Sequence, residues 1–142
     1  MTQRKAAARP KIRMIDSEAD ALTELTLQKQ RDNVRLYELL LGEIDRAGIC
    51  SRADIPADVV TMGSEVAFLD EKTGSERVVH LVYPGDADIS TGRISILTPI
   101  GAGLIGLSVG QSISWPDRSG VDHRLTITAV RQPSPAPASL AE

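Results

Sequence analysis

Cysteine is almost missing from this chain: Cys50 stands alone, so no disulfide can form within it, which excludes a stapled secreted fold. Aromatic residues make up 3% of the sequence, one Trp, one Phe and two Tyr. That is too few for the row of stacking faces that single-stranded nucleic acid requires, and a core built with so few must be aliphatic. The two histidines, His80 and His123, are far apart and neither has a Cys beside it, which argues against a zinc site of ordinary ligand spacing. No apolar run approaches the ~20 residues that span a bilayer; the longest, around Ile100 to Val109, is broken by glycines. The basic N-terminus has no apolar stretch of the kind a signal peptide carries. The expected compartment is the cytoplasm.

What is present suffices for one domain with a small appendage: 142 residues, 42% of them hydrophobic. Charge is placed unevenly. Residues 1–15 hold five basic groups (Arg4, Lys5, Arg9, Lys11 and Arg13) and no acid, leaving 11 basic against 19 acidic residues, a net charge of −8, for the remainder. A basic arm of this kind is compatible with contact to DNA or an acidic surface, but its Ala-rich composition reads first as a disordered tail over residues 1–15. The acidic body argues against a general DNA-binding face.

The pattern then divides the chain. Residues 16–48 read as two helices in an antiparallel hairpin, a short coiled coil. Asp16 or Ser17 caps the first helix, and Ile15, Ala19 and Leu22 recur at helical spacing as far as Leu25 or Thr26. The second runs from Val34 to Ala47 with Tyr37, Leu40, Leu41 and Ile44 on one face, and ends at Arg46 with Gly48 as a left-handed cap. Residues 49–62 read as a connector, with one helical turn after Ser51 compatible with its composition. From 63 to 132 short strands alternate with turns: one around Val66 and Phe68, a second over Arg77–Tyr83, a third over Arg93–Leu97, a fourth over Gln111–Trp115 and the last over Val121–Arg131, where Leu125, Ile127 and Ala129 share a face. Pro99 starts a short helix to Leu107. The expected fold class is α+β, an antiparallel sheet wrapped on a short helix, with a disordered Pro-rich tail over 133–142.

No catalytic constellation stands out. Gly101, Gly103 and Gly106 match a dinucleotide fingerprint by spacing, but no βαβ unit surrounds them; a small-residue helix packed close to the sheet is the better reading. His80 reads as a hydrogen-bonded strand residue. Asp86 and Asp88 fit a turn better than a cation site. Neither a cofactor nor a metal is expected.

The stretches Val60-Thr61-Met62-Gly63-Ser64, Val82-Tyr83-Pro84-Gly85-Asp86-Ala87-Asp88, Gly92-Arg93-Ile94-Ser95-Ile96-Leu97-Thr98-Pro99-Ile100-Gly101 and Leu104-Ile105-Gly106-Leu107-Ser108-Val109-Gly110 resemble the C-terminal domain of the bacterial Gre transcript-cleavage factors (GreA/GreB). With Cys50-Ser51 and Pro56-Ala57-Asp58-Val59-Val60-Thr61-Met62, the sequence resembles the regulator-of-nucleoside-diphosphate-kinase family, a Gre-related group with a shortened helical hairpin. The resemblance implies an FKBP-like fold used for docking over residues 63–132. It implies a non-enzymatic monomer that binds the rim of the RNA polymerase secondary channel through Leu97, Thr98, Pro99 and Ile100, with Thr98-Pro99 standing for a Ser-Pro of the cleavage factors and Leu97 replacing an acid. The hairpin would then enter the channel with a tip of Lys29, Gln30, Arg31, Asp32 and Asn33. Cleavage factors carry two tip carboxylates three residues apart, suited to holding a second Mg²⁺. Asp32 can match one of them, but Lys29 occupies the other position. The implied outcome is docking without stimulated cleavage, in competition with Gre factors. The second family name adds nucleoside diphosphate kinase as a partner, and an active cleavage factor is the remaining alternative. A prolyl isomerase, the enzyme its implied fold suggests, would need an aromatic-lined pocket that this composition does not supply.

Overall fold

The computed structural model describes residues 10–29, 31, 34–117 and 119–133. In chain order the elements are β1 (Arg13–Ile15), α1 (Asp16–Lys29), α2 (Val34–Arg46), β2 (Gly48–Cys50), β3 (Glu65–Asp70), β4 (Ser75–Val82), β5 (Arg93–Ser95), α3 (Pro99–Leu104), β6 (Ser112–Pro116) and β7 (Asp122–Arg131). Two 3-10 turns, Pro84–Asp86 and Ile89–Thr91, lie between β4 and β5. The class is α+β, as the patterning implies.

β3 to β7 form a five-stranded sheet in the order β5-β4-β3-β7-β6. It is not wholly antiparallel. β5 runs parallel to β4, with His80 opposite Arg93 and Val82 opposite Ser95, because the two 3-10 turns carry the chain back across the sheet before β5 begins. The alternation expected on the last strand also fails at one point. Leu125 and Ile127 are buried, but Ala129 is exposed. The register of β7 against β3 jumps between the pairs Ala67–Ala129 and Phe68–Ile127, a bulge that reverses the side-chain parity. Val130 packs against the core in place of Ala129.

Within the expected arm, residues 10–15 are corrected, as is the connector at 49–50; the rest of the arm, residues 1–9, and residues 134–142 of the expected tail lie outside the described residues. β1 and β2 pair in parallel, Arg13 with Gly48 through Ile15 with Cys50, and Ile12, Met14 and Ile15 are each at most 2% exposed. Averaging charge over the arm conceals its period of two: Lys11 and Arg13 face out while Ile12 and Met14 face in. Gly48 is therefore a strand residue whose N–H donates to the carbonyl of Ile12 at 2.9 Å, and it lacks the positive φ of a left-handed cap. The expected turn after Ser51 is present, with Asp54 and Ile55 both donating to its carbonyl.

α1 and α2 pack on each other, and α2 also packs on α3. On α1 the buried positions are Glu18, Ala19, Leu22 and Thr26, the expected stripe. On α2 they are Leu36, Tyr37, Leu40 and Glu43, whereas Leu41 and Ile44 are only half-buried. Contact with two helices rotates the buried stripe away from the purely aliphatic face. Arg46 covers Glu43 at 2.7 Å and also donates to the carbonyl of Pro10. Leu22 and Leu40 share one hydrophobic cluster with Phe68 and Leu104 of the sheet half, so one face of each helix belongs to the core. The opposite face is exposed along each helix, at Asp20, Ala21 and Glu24 on α1 and Glu38, Gly42 and Asp45 on α2, and so are Leu27, Lys29, Arg31, Val34 and Arg35 at the far ends.

Candidate functional site

The strand-to-helix junction at 95–101 is built by local hydrogen bonds. Thr98 has extended backbone and caps α3: its hydroxyl accepts the N–H of Gly101 at 3.1 Å and donates to the carbonyl of Ser95 at 2.7 Å. Ser95 returns the constraint, its hydroxyl accepting the N–H of Leu97 at 2.9 Å. Pro99 sits in the first turn, where its missing N–H leaves no partner unsatisfied. Leu97, Thr98, Pro99 and Ile100 are all half-buried, locked in backbone yet reachable.

The glycine triplet sets how close this helix lies. A Cβ on Gly101 would collide with the carbonyl oxygen of Ser95, and one on Gly103 would lie 2.8 Å from Cγ of Trp115. Gly106 turns the chain out of the helix at φ +85°. These glycines serve packing, as the sequence reading holds.

A cleft of about 480 Å³ opens beside the junction. Thr98, Pro99 and Ile100 form one wall with Ile94, and Asp117 and Ser119 form another. Several lining residues were not among the expected site residues, Ile89, Arg77, Arg93, Asp117 and Ser119 among them. Ile89 is 87% exposed on a 3-10 turn pinned at both ends, by Asp88 accepting the N–H and hydroxyl of Ser90 and by Gly92 at φ 79°. Those bonds, the Ser90 hydroxyl foremost, hold the Asp88 carboxyl below its ordinary range. Ile89 thereby adds an exposed apolar side chain to the edge of the cleft. Arg77 and Arg93 add cations to the cleft, the Arg77 guanidinium lying 5.7 Å from the centre of the Phe68 ring. The signal available in sequence was the run Asp88-Ile89-Ser90-Thr91-Gly92, a capped turn around an apolar residue.

The other expected residues fall elsewhere. Lys29 ends α1 and Arg31 is exposed in the turn that follows, while Gln30, Asp32 and Asn33 lie outside the described residues. His80 is exposed, its Nε2 2.8 Å from the carbonyl oxygen of Gly63. Cys50 lies in β2, its thiol near the carbonyl of Met14. Among the described residues no group of three or more His, Cys, Asp or Glu is arranged to hold a metal ion, and no helix is long and apolar enough to cross a membrane.

Residues 55–132 match the family profile of the transcription elongation factor GreA/GreB C-terminal domain. The chain belongs to the GreA/GreB family. Among curated relatives, the regulator of nucleoside diphosphate kinase of Escherichia coli K12 is 38% identical over 120 residues, covering 84% of this chain and 88% of that protein. The transcription elongation factor GreA of Thermodesulfovibrio yellowstonii is 36% identical over 80 residues, 56% of this chain and 50% of that one. A solved GreA/GreB elongation factor from Nitrosomonas europaea superposes with a TM-score of 0.64 at 37% identity, covering 87% of this chain and 99% of the other. The profile takes in the whole cleft, from Arg77 to Ser119, and leaves α1 and α2 outside it. The GreA/GreB signature thus describes the cleft half, and likeness to the E. coli regulator extends into the helical half.

Proposed function

We propose that this GreA/GreB family member is a non-enzymatic transcription regulator that docks on the rim of the RNA polymerase secondary channel and competes there with Gre factors. In this reading residues 63–132 act as an FKBP-like adhesive module, and α1 and α2 form an antiparallel hairpin that points into the channel. The observation that carries it is the cleft beside Thr98-Pro99, with Ile89 bare on a pinned turn. Aliphatic walls flanked by Arg77 and Arg93 suit an amphipathic partner segment that brings its own acidic residues.

The helical half supports regulation without cleavage. Helices of 14 and 13 residues reach about 20 Å at 1.5 Å per residue, and one face of each is packed into the core. The described part of the tip is cationic, Lys29 and Arg31, which opposes recruitment of Mg²⁺. The test is direct. Core polymerase should retain the purified protein, Ile89→Asp and Pro99→Ala should weaken that retention, and added Gre factor should displace the wild type. RNA cleavage in backtracked elongation complexes should stay at its uncatalysed level. Restored cleavage would convert the reading to an active cleavage factor, and absent retention would end it. A second reading, direct regulation of a nucleoside diphosphate kinase, rests on the name of the E. coli relative. It requires the two purified proteins to co-elute without polymerase.

A further inference from the structure

His123 on β7 has a carboxylate at each ring nitrogen. Nδ1 lies 2.7 Å from Oδ2 of Asp70 at the end of β3, and Nε2 lies 2.8 Å from Oδ2 of Asp117 just after β6. A neutral imidazole has a single N–H, so one of these contacts would place a ring lone pair against a carboxylate oxygen. Only the imidazolium donates to both.

The two carboxylates organise the turns on which they sit. Oδ1 of Asp117 accepts the N–H of Ser119 at 2.9 Å, its hydroxyl at 2.9 Å and the N–H of Val121 at 3.0 Å. Oδ1 of Asp70 accepts the N–H of Lys72 at 3.1 Å in the β3–β4 turn. His123 thereby staples two turns at one end of the sheet, and one of them, through Asp117 and Ser119, is a wall of the docking cleft. Among the described residues, Asp70 and Asp117 are the charges acting on the ring: β6 places Trp115 opposite it, and on β7 the neighbour Arg124 turns away to Glu71 at 3.4 Å while Asp122 is exposed.

We infer that His123 is a positioning residue for the docking cleft: as the imidazolium it holds the wall formed by Asp117 and Ser119, and loss of its proton frees that wall and weakens docking. The inference rests on the docking reading above. The hydrogen bonds that the ring donates to Asp117 and then to Asp70 raise the His123 pKa above its ordinary value, against the smaller opposing effect of burial. For a base with a raised folded-state pKa, the stabilisation is complete below the ordinary value and disappears as pH climbs through the raised one. The wall should therefore be firm in mild acid and loose in alkali.

Two readouts on the full chain test this. NMR titration of the His123 ring should give a raised midpoint, and the Ser119 and Val121 amide signals should shift through that same midpoint. Binding to core polymerase should weaken about fivefold between about pH 6 and about pH 9, the loss of roughly one hydrogen bond. His123→Gln should bind at the weakened level at every pH. Asp117→Asn, which keeps an acceptor, should bring the ring midpoint down. A ring midpoint at or below the ordinary value overturns the inference, as does an unchanged pH profile in His123→Gln. A wild type that fails to bind polymerase at any pH overturns the docking reading alone. The clamp then stands on amide signals that follow the ring and falls on signals that do not.

Discussion

Where α3 meets the sheet, glycine brings backbone against backbone and an indole ring; where α1 meets α2, contact is made by leucines, a tyrosine and the buried polar groups Thr26 and Glu43. The first interface has no slack, because the atoms in contact belong to the main chain or to a fully packed Trp115. The second is made of side chains that can choose other rotamers. On the docking reading proposed above, the difference suits a division of labour in which the cleft keeps one shape while the helices adjust.

That contrast should show first in Gly101→Ala. The added methyl meets the Ser95 carbonyl, which no rotamer change relieves, and the expected loss is about 4 kcal/mol in urea unfolding. Next comes Leu40→Ala, which empties a fully buried site between the helices at about 3 kcal/mol, moderated by collapse of flexible neighbours. If Leu40→Ala proves the costlier of the two, the sheet half is not the stiffer one. Thr98→Ala removes the α3 cap and should cost about 1 kcal/mol, with a larger proportional effect on polymerase retention than on stability.

The smallest expected effect sharpens the boundary between the halves. Glu18 of α1 accepts the N–H of Met62 at 3.0 Å, with Arg52 3.6 Å away. Burial raises its carboxyl pKa, against the opposing pull of the Met62 bond and of Arg52. The folded state therefore holds that proton more tightly than the unfolded chain does, and stability falls as pH rises from the ordinary value through the raised one. Glu18→Gln retains an acceptor without the charge, so it should gain on wild type across that window. Parallel stability-against-pH curves would show that burial at this joint costs nothing.

Much of the fold was legible because it follows from period and punctuation. The stripe Ala19, Leu22, Thr26, the β3–β4 hairpin and the Thr98-Pro99 helix start are each set by residues within one or two turns of one another. β1 was missed because its apolar alternation is three residues long and surrounded by cations. The β7 bulge was missed because nothing in β7 alone reveals a mismatch with β3. The proposed docking residues 97–100 were named from resemblance, whereas Ile89, Arg77 and the Asp70–His123–Asp117 clamp were not. Each acquires meaning from a partner far along the chain: 53 residues separate Asp70 from His123.

By itself, then, the sequence determined the fold class, the order of the two helices and of the elements from β3 to β7, a largely aliphatic core and the family. Those properties depend on composition and on neighbours a few residues apart, where spacing alone decides which side chains meet. Tertiary structure decided which face of α2 is buried, the parallel pairing of β5, and the assembly of a cleft from the Ile89 turn, the Thr98 cap and the Asp117 wall. These are contacts between segments whose separation along the chain carries no geometric information until the sheet has brought them together.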